Sequence, residues 1–312
     1  MKIAVIGLGS IGRRHAENFR ALGCDVTTWD VREDSGRTHD TLPGALRGSS
    51  GAVIATPPDV HVKDALVAAV YGARVMIEKP LSTSVEHAQA IALENTRILV
   101  AYPWRHWPPL QYVKDRLPEI GRILSARIEY GAHLEKHYPT HANRPDSYMR
   151  DLSRGGGCLL DCSHAIDLMR WLCGEITEVS ALVERRMLDM NADDSADLTV
   201  KFASGASGGI HMSLCLPEVR GRLEIVGENG AIQWERGTNV VRWRVGNGLW
   251  FGNTSGYAPG DVSEMYLNEA RHFLACIRGE ATPVCDGWDG LQTLRVCEAA
   301  RRASDERRWV TV

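Results

Sequence analysis

A short apolar strand that runs directly into a glycine-rich turn constrains this chain more than any other feature. Ile3–Ile6 are apolar, Gly7-Leu8-Gly9-Ser10-Ile11-Gly12 follow, and a helical stretch then reaches about Leu22. In such a unit the first glycine permits a tight turn, the second lets the backbone approach a pyrophosphate, and the third lets the helix pack on the strand. The helix N-terminus offers N–H groups to the phosphates. The sequence therefore predicts dinucleotide contacts at Gly7, Leu8, Gly9, Ser10, Ile11 and Gly12.

An acidic residue after the second predicted strand bears on which dinucleotide fits. Asp30 directly follows the strand Asp25–Trp29. An acid at this point accepts hydrogen bonds from the adenosine ribose and repels a 2′-phosphate, which favours NAD. Arg32 lies two residues further on, and a nearby arginine can accommodate the 2′-phosphate of NADP, unless it is simply a solvated turn residue. We predict cofactor contacts at Asp30 and Arg32, with NAD preferred and NADP left open.

Three further apolar strands alternate with helical stretches in the first hundred residues. They are Gly51–Ala55, Val75–Ile77 and Arg97–Ala101, and a helix at about Asp59–Val70 separates the first two. This alternation predicts an α/β fold with a parallel, doubly wound sheet. Ligands bind such sheets beyond the carboxyl ends of the strands. The further cofactor contacts that we predict there are Ala55, Thr56, Pro57, His61, Glu78 and Lys79.

The triplet Glu78-Lys79-Pro80 places a lysine at the end of one of these strands. The strand before it is short and apolar, and Pro80 prevents it from continuing. A lysine at this edge of an α/β sheet is a candidate for chemistry on a bound ligand. The alternative is an ordinary solvated strand end, because such residues are common in turns.

After Pro118 the apolar pattern changes to strict alternation. Ser204-Gly205 and Asn229-Gly230 lie between alternating runs as hairpin signals. The runs are Leu124–Tyr130, Leu198–Phe202, Ile210–Leu214, Leu223–Ile225, Ile232–Trp234 and Val241–Val245. They predict an α+β domain with an open, mainly antiparallel sheet, packed on one face. The covering helices that we predict are Leu159–Cys173, Val262–Arg278 and Leu291–Ala303. At 312 residues two domains are expected, 1–119 and 120–312.

A second candidate for chemistry follows three consecutive glycines, Gly155–Gly157. Asp161, His164 and Asp167 recur every three residues, so we expect neighbouring members to share one helical face. An aspartate near a helix N-terminus stays ionised and can orient an imidazole. The alternative is a histidine whose hydrogen bonds are satisfied within helix packing.

Three segments together resemble the Gfo/Idh/MocA family of sugar and cyclitol dehydrogenases. The segments are Gly7–Gly12, then Ala55–Pro58 leading to Glu78–Pro80, and finally Gly155–Asp167 with Trp171–Gly174. Their order and spacing match over nearly the whole chain. The resemblance implies an N-terminal Rossmann domain, then a substrate-binding and oligomerisation domain whose outer sheet face forms a homodimer or homotetramer.

The resemblance also implies an activity and the residues that carry it. The activity is NAD(P)-dependent hydride transfer between nicotinamide and a secondary alcohol or ketone of a sugar, sugar derivative or cyclitol. By residue match the catalytic groups are Lys79, Asp161 and His164. His164 is expected as the general base because imidazoles titrate near neutral pH, with Asp161 holding its tautomer and Lys79 donating to the developing alkoxide. The alternative is that Lys79 is the principal proton-transfer group.

This chain departs from the common family pattern at two places. His164 follows Asp161 by three residues instead of four, as in a subgroup with an Asp-x-Ser-His pattern that usually has Glu at the position of Ala165. Pro103 follows Tyr102 where relatives often have asparagine. Aromatic and basic side chains around Tyr102–Arg105 and His133–Arg150 suit a sugar, although a plain polar loop is the alternative. The substrate contacts that we predict are Tyr102, Arg105, Tyr148 and His164.

Two other functions compete with this interpretation. A zinc site is suggested by His133, His137 and His141 and by Cys158, Cys162 and His164, but Pro139 interrupts the first set and no Cys-x-x-Cys pair is present. We therefore predict no metal. A non-catalytic dinucleotide-binding sugar sensor of the same fold is the other alternative, since fold does not imply function.

Composition narrows the partners and the compartment. The formal net charge of −3 offers no basic surface for nucleic acid, and no apolar run approaches the ~20 residues that span a membrane. Met1 is followed at once by a strand, which leaves no room for a signal peptide. The eight cysteines indicate reduced core thiols. We predict a cytoplasmic protein whose partners are a small sugar-like substrate and further copies of itself.

Overall fold

The computed structural model describes residues 1–94, 98–139, 147–254 and 261–312, and it divides into two compact units. The first unit comprises Met1–Pro103 and Ser263–Leu294, and the second comprises Trp104–Val262 and Arg295–Val312. The predicted domain limits of 1–119 and 120–312 differ from these ranges, because the chain contributes to the first unit again near its end. That 1–119 and 120–312 are the limits of two folding domains stays a prediction.

The first unit contains a five-stranded parallel sheet in the order β2-β1-β3-β4-β5. Its strands are β1 (Lys2–Ile6), β2 (Asp25–Trp29), β3 (Gly51–Ile54), β4 (Arg74–Glu78) and β5 (Ile98–Ala101). The doubly wound parallel sheet predicted from the alternation is confirmed. Continuous apolar runs form these strands because helices cover both faces of such a sheet.

The helices of the chain follow the predicted pattern in most places. They are α1 (Ser10–Ala21), α2 (Leu42–Leu46), α3 (His61–Val70), α4 (Val85–Glu94), α5 (Pro108–Arg116), α6 (Leu134–His137), α7 (Cys158–Asp161), α8 (His164–Cys173), α9 (Ser263–Arg278) and α10 (Gly287–Glu306). In the described ranges every helix is too short or too polar to cross a membrane. On α1 the buried Phe19 meets Phe273 of α9 edge to face, 6.1 Å between centroids. Residues late in the sequence therefore belong to the first unit, and the prediction that the helix at Val262–Arg278 covers the second sheet was wrong.

The second unit contains a nine-stranded sheet in the order β13-β12-β11-β10-β6-β9-β8-β7-β14. Its strands are β6 (Ile123–Gly131), β7 (Ile176–Glu184), β8 (Ser195–Phe202), β9 (Ser207–Ser213), β10 (Arg220–Gly227), β11 (Gly230–Glu235), β12 (Val240–Val245), β13 (Phe251–Thr254) and β14 (Val310–Thr311). Among the described strands of this sheet only β6 and β9 pair in parallel, so the predicted mainly antiparallel sheet is confirmed. Both predicted hairpin turns join neighbouring antiparallel strands.

One position of the alternating pattern was predicted wrongly. Leu124 is 42% exposed, whereas Ala126 and Ile128 of the same strand are buried. The register shifts where Val226 pairs with Ser125 but the next residue pairs with Ile123. Leu124 is therefore the extra residue of a β-bulge, which interrupts the alternation of faces.

Candidate active site

The carboxyl edge of the five-stranded sheet gathers the predicted cofactor residues. β1 has β2 on one side and β3 on the other, which makes this edge a topological switch point. The Gly7 N–H donates to the Trp29 carbonyl and the Ala55 N–H to the Ile6 carbonyl, each at 2.8 Å, so the ends of all three strands are tied together. The predicted residues that follow these strands and β4 are Gly7, Leu8, Gly9, Ser10, Ile11, Gly12, Asp30, Arg32, Ala55, Thr56, Pro57, His61, Glu78 and Lys79.

The glycine turn has the shape that a bound pyrophosphate needs. Gly7 has a positive φ of 90°, and a side chain at Gly12 would collide with the Gly7 carbonyl oxygen. A Cβ at Gly9, in contrast, would meet no atom within 4 Å. Gly9 is also the N-cap of α1, where the first backbone N–H groups lack partners within the helix. The turn therefore offers both space and donors to an anionic group.

Asp30 is held as a carboxylate beside this turn. Its Oδ2 accepts a 2.6 Å hydrogen bond from the Leu8 N–H, and its Oδ1 accepts from Nε of Arg32 at 3.1 Å. Burial alone would raise the pKa of Asp30, but the hydrogen bonds from Arg32 and Leu8 hold it below its usual value. The structure thus places an ionised acid where an adenosine ribose is expected.

His61 joins two loops of the same edge. Its Nε2 lies 2.7 Å from the Thr56 carbonyl oxygen and its Nδ1 lies 2.9 Å from the Pro80 carbonyl oxygen. Burial lowers the pKa of His61, against the effect of these hydrogen bonds. In the structure its ring connects the segment after β3 to the segment after β4. A direct contact of His61 with the cofactor stays a prediction.

Glu78 has a buried partner that the sequence did not reveal. Nε2 of His15 on α1 lies 2.7 Å from one carboxylate oxygen of Glu78, and His15 is fully buried. The other carboxylate oxygen accepts from the Lys79 backbone N–H at 3.3 Å. Glu78 therefore links α1 to the backbone of the candidate catalytic lysine.

A second carboxyl, that of Glu269 on α9, belongs to the same buried region. Glu269 is fully buried, and neither carboxyl oxygen has a hydrogen-bond partner among the described residues. Burial, and then the charge of Glu78, raises the pKa of Glu269 well above its usual range. Tyr266 of the same helix meets His15 edge to face, and burial followed by the Glu78 charge raises its pKa to about 12. Glu269 is thus held as a neutral acid.

We expect Glu269→Gln to remove a pH-dependent cost of burying this acid. Because its pKa is raised in the folded chain, the unfolded chain loses the proton first, and the free energy of unfolding falls as pH rises above the ordinary glutamate pKa. The fall is about 1.4 kcal/mol per pH unit up to the folded-state pKa. Urea denaturation at a series of pH values should therefore show that the free energy of unfolding of the variant rises, relative to that of wild type, from acid to neutral pH. Glu17→Gln, at an exposed position of α1, is the matched control, and a pH-independent difference would contradict the assignment.

In the second unit, Asp161 and His164 do not share one continuous helix, so that prediction was wrong. α7 ends at Asp161 and α8 begins at His164. Cys162 has φ −88° and ψ 13°, which lie outside the helical region, and Ser163 is the N-cap of α8. Asp161 therefore ends one short helix and His164 opens the next.

The glycines before α7 let the chain approach Asp193 closely. The Leu159 N–H donates to Oδ2 of Asp193 at 2.7 Å, and Arg301 donates to the other carboxylate oxygen at 2.9 Å. A Cβ at Gly157 would lie only 2.6 Å from that carboxylate. The glycine segment is thus needed for the anchoring of α7, which supports the position of Asp161.

His164 lies in an aromatic cluster. The Trp104 ring stacks on its imidazole with 5.5 Å between centroids and 29° between planes, and Tyr130 of β6 meets it edge to face at 6.0 Å. Trp104 also contacts Tyr130 at 4.6 Å and Trp234 at 5.6 Å. Burial, and then neighbouring groups that include Asp161, raises the pKa of Tyr130 well above its usual value. The imidazole, the indole and the neutral phenol thus form a triangle of rings that contact one another.

Arg105, a predicted substrate contact, forms a buried ion pair with Asp167 of α8. Its Nη2 lies 2.7 Å and its Nε 3.1 Å from the two carboxylate oxygens, and the two side chains are 3% and 1% exposed. This two-point pairing connects the segment around Arg105 to the first turn of α8. Tyr102 is buried after β5, and Tyr148 is part-buried in a short 3₁₀-helix. Substrate contacts at these residues stay a prediction.

Known proteins resemble part of the second unit and, at lower identity, the whole chain. Residues 113–233 match the family model described as the GFO/IDH/MocA C-terminal domain. The inositol 2-dehydrogenase of Rhizobium meliloti (strain 1021) is 26% identical over 347 aligned residues, covering 100% of this chain and 99% of the relative. The scyllo-inositol 2-dehydrogenase (NAD(+)) of Bacillus subtilis (strain 168) is 26% identical, covering 96% and 93%. The resemblance to the GFO/IDH/MocA family is thus confirmed over residues 113–233.

A solved structure with the fold of this chain is levoglucosan dehydrogenase in complex with NADH and levoglucosan. It is 21% identical, has a TM-score of 0.88, and covers 100% of this chain and 99% of its own. At this level of identity the likeness supports the fold.

The predicted site residues form two groups. The first unit holds the cofactor residues with Lys79, and the second holds Asp161 and His164. Within the described ranges, no group of three or more His, Cys, Asp or Glu side chains is placed to hold a metal ion, although His141 lies outside those ranges. Burial raises the pKa of the Cys158 thiol well above its usual value, which disfavours the thiolate that binds zinc. The absence of a metal stays a prediction.

Proposed function

We propose that this chain is an oxidoreductase that transfers hydride between a nicotinamide cofactor, with NAD preferred, and a secondary alcohol or ketone of a sugar, sugar derivative or cyclitol. The observation that carries the proposal is a dinucleotide cradle with an ionised acid beside it, in a chain that aligns from end to end with a named inositol 2-dehydrogenase. The levoglucosan dehydrogenase complex, which has the same fold, supports a sugar-like substrate.

The cradle residues fit NAD. Gly7–Gly12 would hold the pyrophosphate at the start of α1, and Asp30 would accept hydrogen bonds from the ribose hydroxyls. Arg32 already donates to Asp30, so a 2′-phosphate would have to compete with an existing ion pair. When bound, the cofactor supplies the hydride acceptor or donor.

Three side chains supply the proton chemistry. His164 takes the proton of the substrate hydroxyl while the hydride leaves, for the nicotinamide, the carbon that bears this hydroxyl. The O–H and C–H bonds break, and a carbonyl double bond forms. Asp161 stabilises the imidazolium, and Lys79 donates a hydrogen bond to the oxygen as its charge develops. Tyr102, Arg105 and Tyr148 complete the proposed substrate contacts.

The proposal is tested by nicotinamide absorbance with NAD and NADP. The substrate panel contains myo-inositol, scyllo-inositol, levoglucosan and common aldoses, together with their ketones in the reverse direction. We expect turnover with at least one polyol and a higher kcat/KM with NAD than with NADP. Tight NAD binding without turnover on any of these compounds would contradict an enzyme and match a non-catalytic sensor.

We also propose that the outer face of the nine-stranded sheet joins copies of the chain into a homodimer or homotetramer. This face carries charges of both signs, including Arg222 beside Glu235 at 3.0 Å and His211 beside Asp197 at 2.6 Å. A two-fold interface pairs a surface with itself, and a face of mixed sign meets that requirement. Sedimentation velocity should show a dimer or tetramer, and a monomer at micromolar concentration would contradict this arrangement.

We place the protein in the cytoplasm, which is supported by eight cysteines present as free thiols.

A further inference from the structure

The segment before α5 and the start of α8 are joined by two neighbouring contacts. Trp104 stacks on His164, and the next residue, Arg105, pairs with Asp167, which lies one helical turn after His164. In both segments the stacking residue comes before the residue of the ion pair. The buried ion pair therefore restricts how far Trp104 can move from the imidazole.

We propose that Trp104 and Tyr130 are positioning residues that hold the imidazole of His164 for proton transfer, and that Trp104 also stabilises its imidazolium form. This inference rests on the proposed function, in which His164 takes the substrate proton. A cation within about 6 Å of an indole centroid is attracted by the ring face. The 5.5 Å stack with Trp104 satisfies this distance as soon as the imidazole is protonated.

Tyr130 completes the arrangement from the sheet side. Its ring is nearly perpendicular to the imidazole, at 83°, and it packs against Trp104. Because its pKa is raised well above the usual value, first by burial, it remains a neutral phenol across the working pH range. It thus adds no negative charge that would compete with Asp161 for the imidazolium.

Further groups lie around the cluster in the second unit. The buried Arg105–Asp167 ion pair follows Trp104 and His164 along the two segments, and the Trp234 ring packs edge to face on Trp104. The groups that act on Tyr130 are Tyr138, Cys162, Arg236 and Asp161. Trp104 therefore supplies the contact between an aromatic face and the imidazolium.

The test uses the full-length protein and ¹⁵N-labelled histidine, with the His164 signal assigned by its loss in His164→Gln. Trp104→Leu should lower the titration midpoint of the imidazole by about one pH unit, because the cation–π contact is removed. Trp104→Phe keeps the packing and should give a smaller shift. Trp243→Leu is the matched control, since Trp243 lies in a separate cluster with Tyr112 and Phe251 in the same unit.

Kinetics provide the second measurement. We expect Trp104→Leu to lower kcat about tenfold and to move the acidic limb of its pH profile by the same amount as the NMR midpoint, with the KM for NAD unchanged. If Trp104→Leu and Trp104→Phe both leave the His164 midpoint at its wild-type value, the positioning role is wrong, whatever the activity. If the midpoint shifts but the wild-type protein turns over no substrate, the dehydrogenase function fails while the aromatic contact stands.

Discussion

Lys79→Met should lower turnover by about 10²-fold or more while NAD binding is retained. The proposed role of Lys79 is a hydrogen bond to the substrate oxygen as negative charge develops, an interaction that is stronger in the transition state than in the ground state. Methionine keeps the length of the side chain and removes its charge. Turnover is measured by nicotinamide absorbance under saturating substrate, and NAD affinity by isothermal titration calorimetry.

Lys63→Met on the exposed side of α3 is the matched control, since it removes the same charge from the same unit. His164→Asn should cause a loss of similar size, because it removes the proposed base. If Lys79→Met keeps turnover within about threefold of wild type, the lysine has no part in the chemistry. If only His164→Asn retains activity, the proton transfer belongs to Lys79.

Arg105→Met should lower the free energy of unfolding by about 3–5 kcal/mol, because it leaves the carboxylate of Asp167 buried without a counter-charge. The pair is almost completely buried and has two hydrogen bonds, so water cannot replace the lost partner. Chemical denaturation followed by circular dichroism measures the loss directly. The loss of stability reports on the ion pair, whereas the proposed contact of Arg105 with the substrate is measured separately through KM.

Two further variants make that measurement specific. Arg122→Met removes the same group from an exposed pair with Glu228 and should cost less than about 1 kcal/mol. The double variant Arg105→Met/Asp167→Leu should recover most of the loss, because no unpaired charge remains buried. Equal losses for Arg105→Met and Arg122→Met would show that the buried ion pair contributes no more to stability than an exposed one.

The parts of the fold that sequence reasoning recovered are those with local causes. The glycine turn was recognisable because strand, glycines and helix are contiguous and each glycine meets a steric requirement within that short segment. The change from buried apolar runs to alternation likewise predicted a parallel sheet followed by a mainly antiparallel one. The errors came where a local irregularity interrupts a regular period, as at the bulge of Leu124 and the break at Cys162.

The burial of Glu269 could have been predicted from its position in the sequence. On α9 it stands between Met265 and Phe273 at intervals of four residues, and both of these are buried. An acid on the apolar face of a helix has to be neutral or paired. Its nearness to Glu78 and His15 was invisible, because these residues are far apart in the sequence and only the packing of α9 against α1 brings them together.

The sequence by itself determined the dinucleotide cradle, the order of the two sheet types and the identity of Lys79, Asp161 and His164 as candidates. These depend on side chains and backbone preferences within a few residues of one another, which short-range sterics and periodicity encode. Only the tertiary structure decided that Arg105 pairs with Asp167 and that Trp104 stacks on His164. Such contacts join segments about sixty residues apart, and burial selects them only after the whole core has formed.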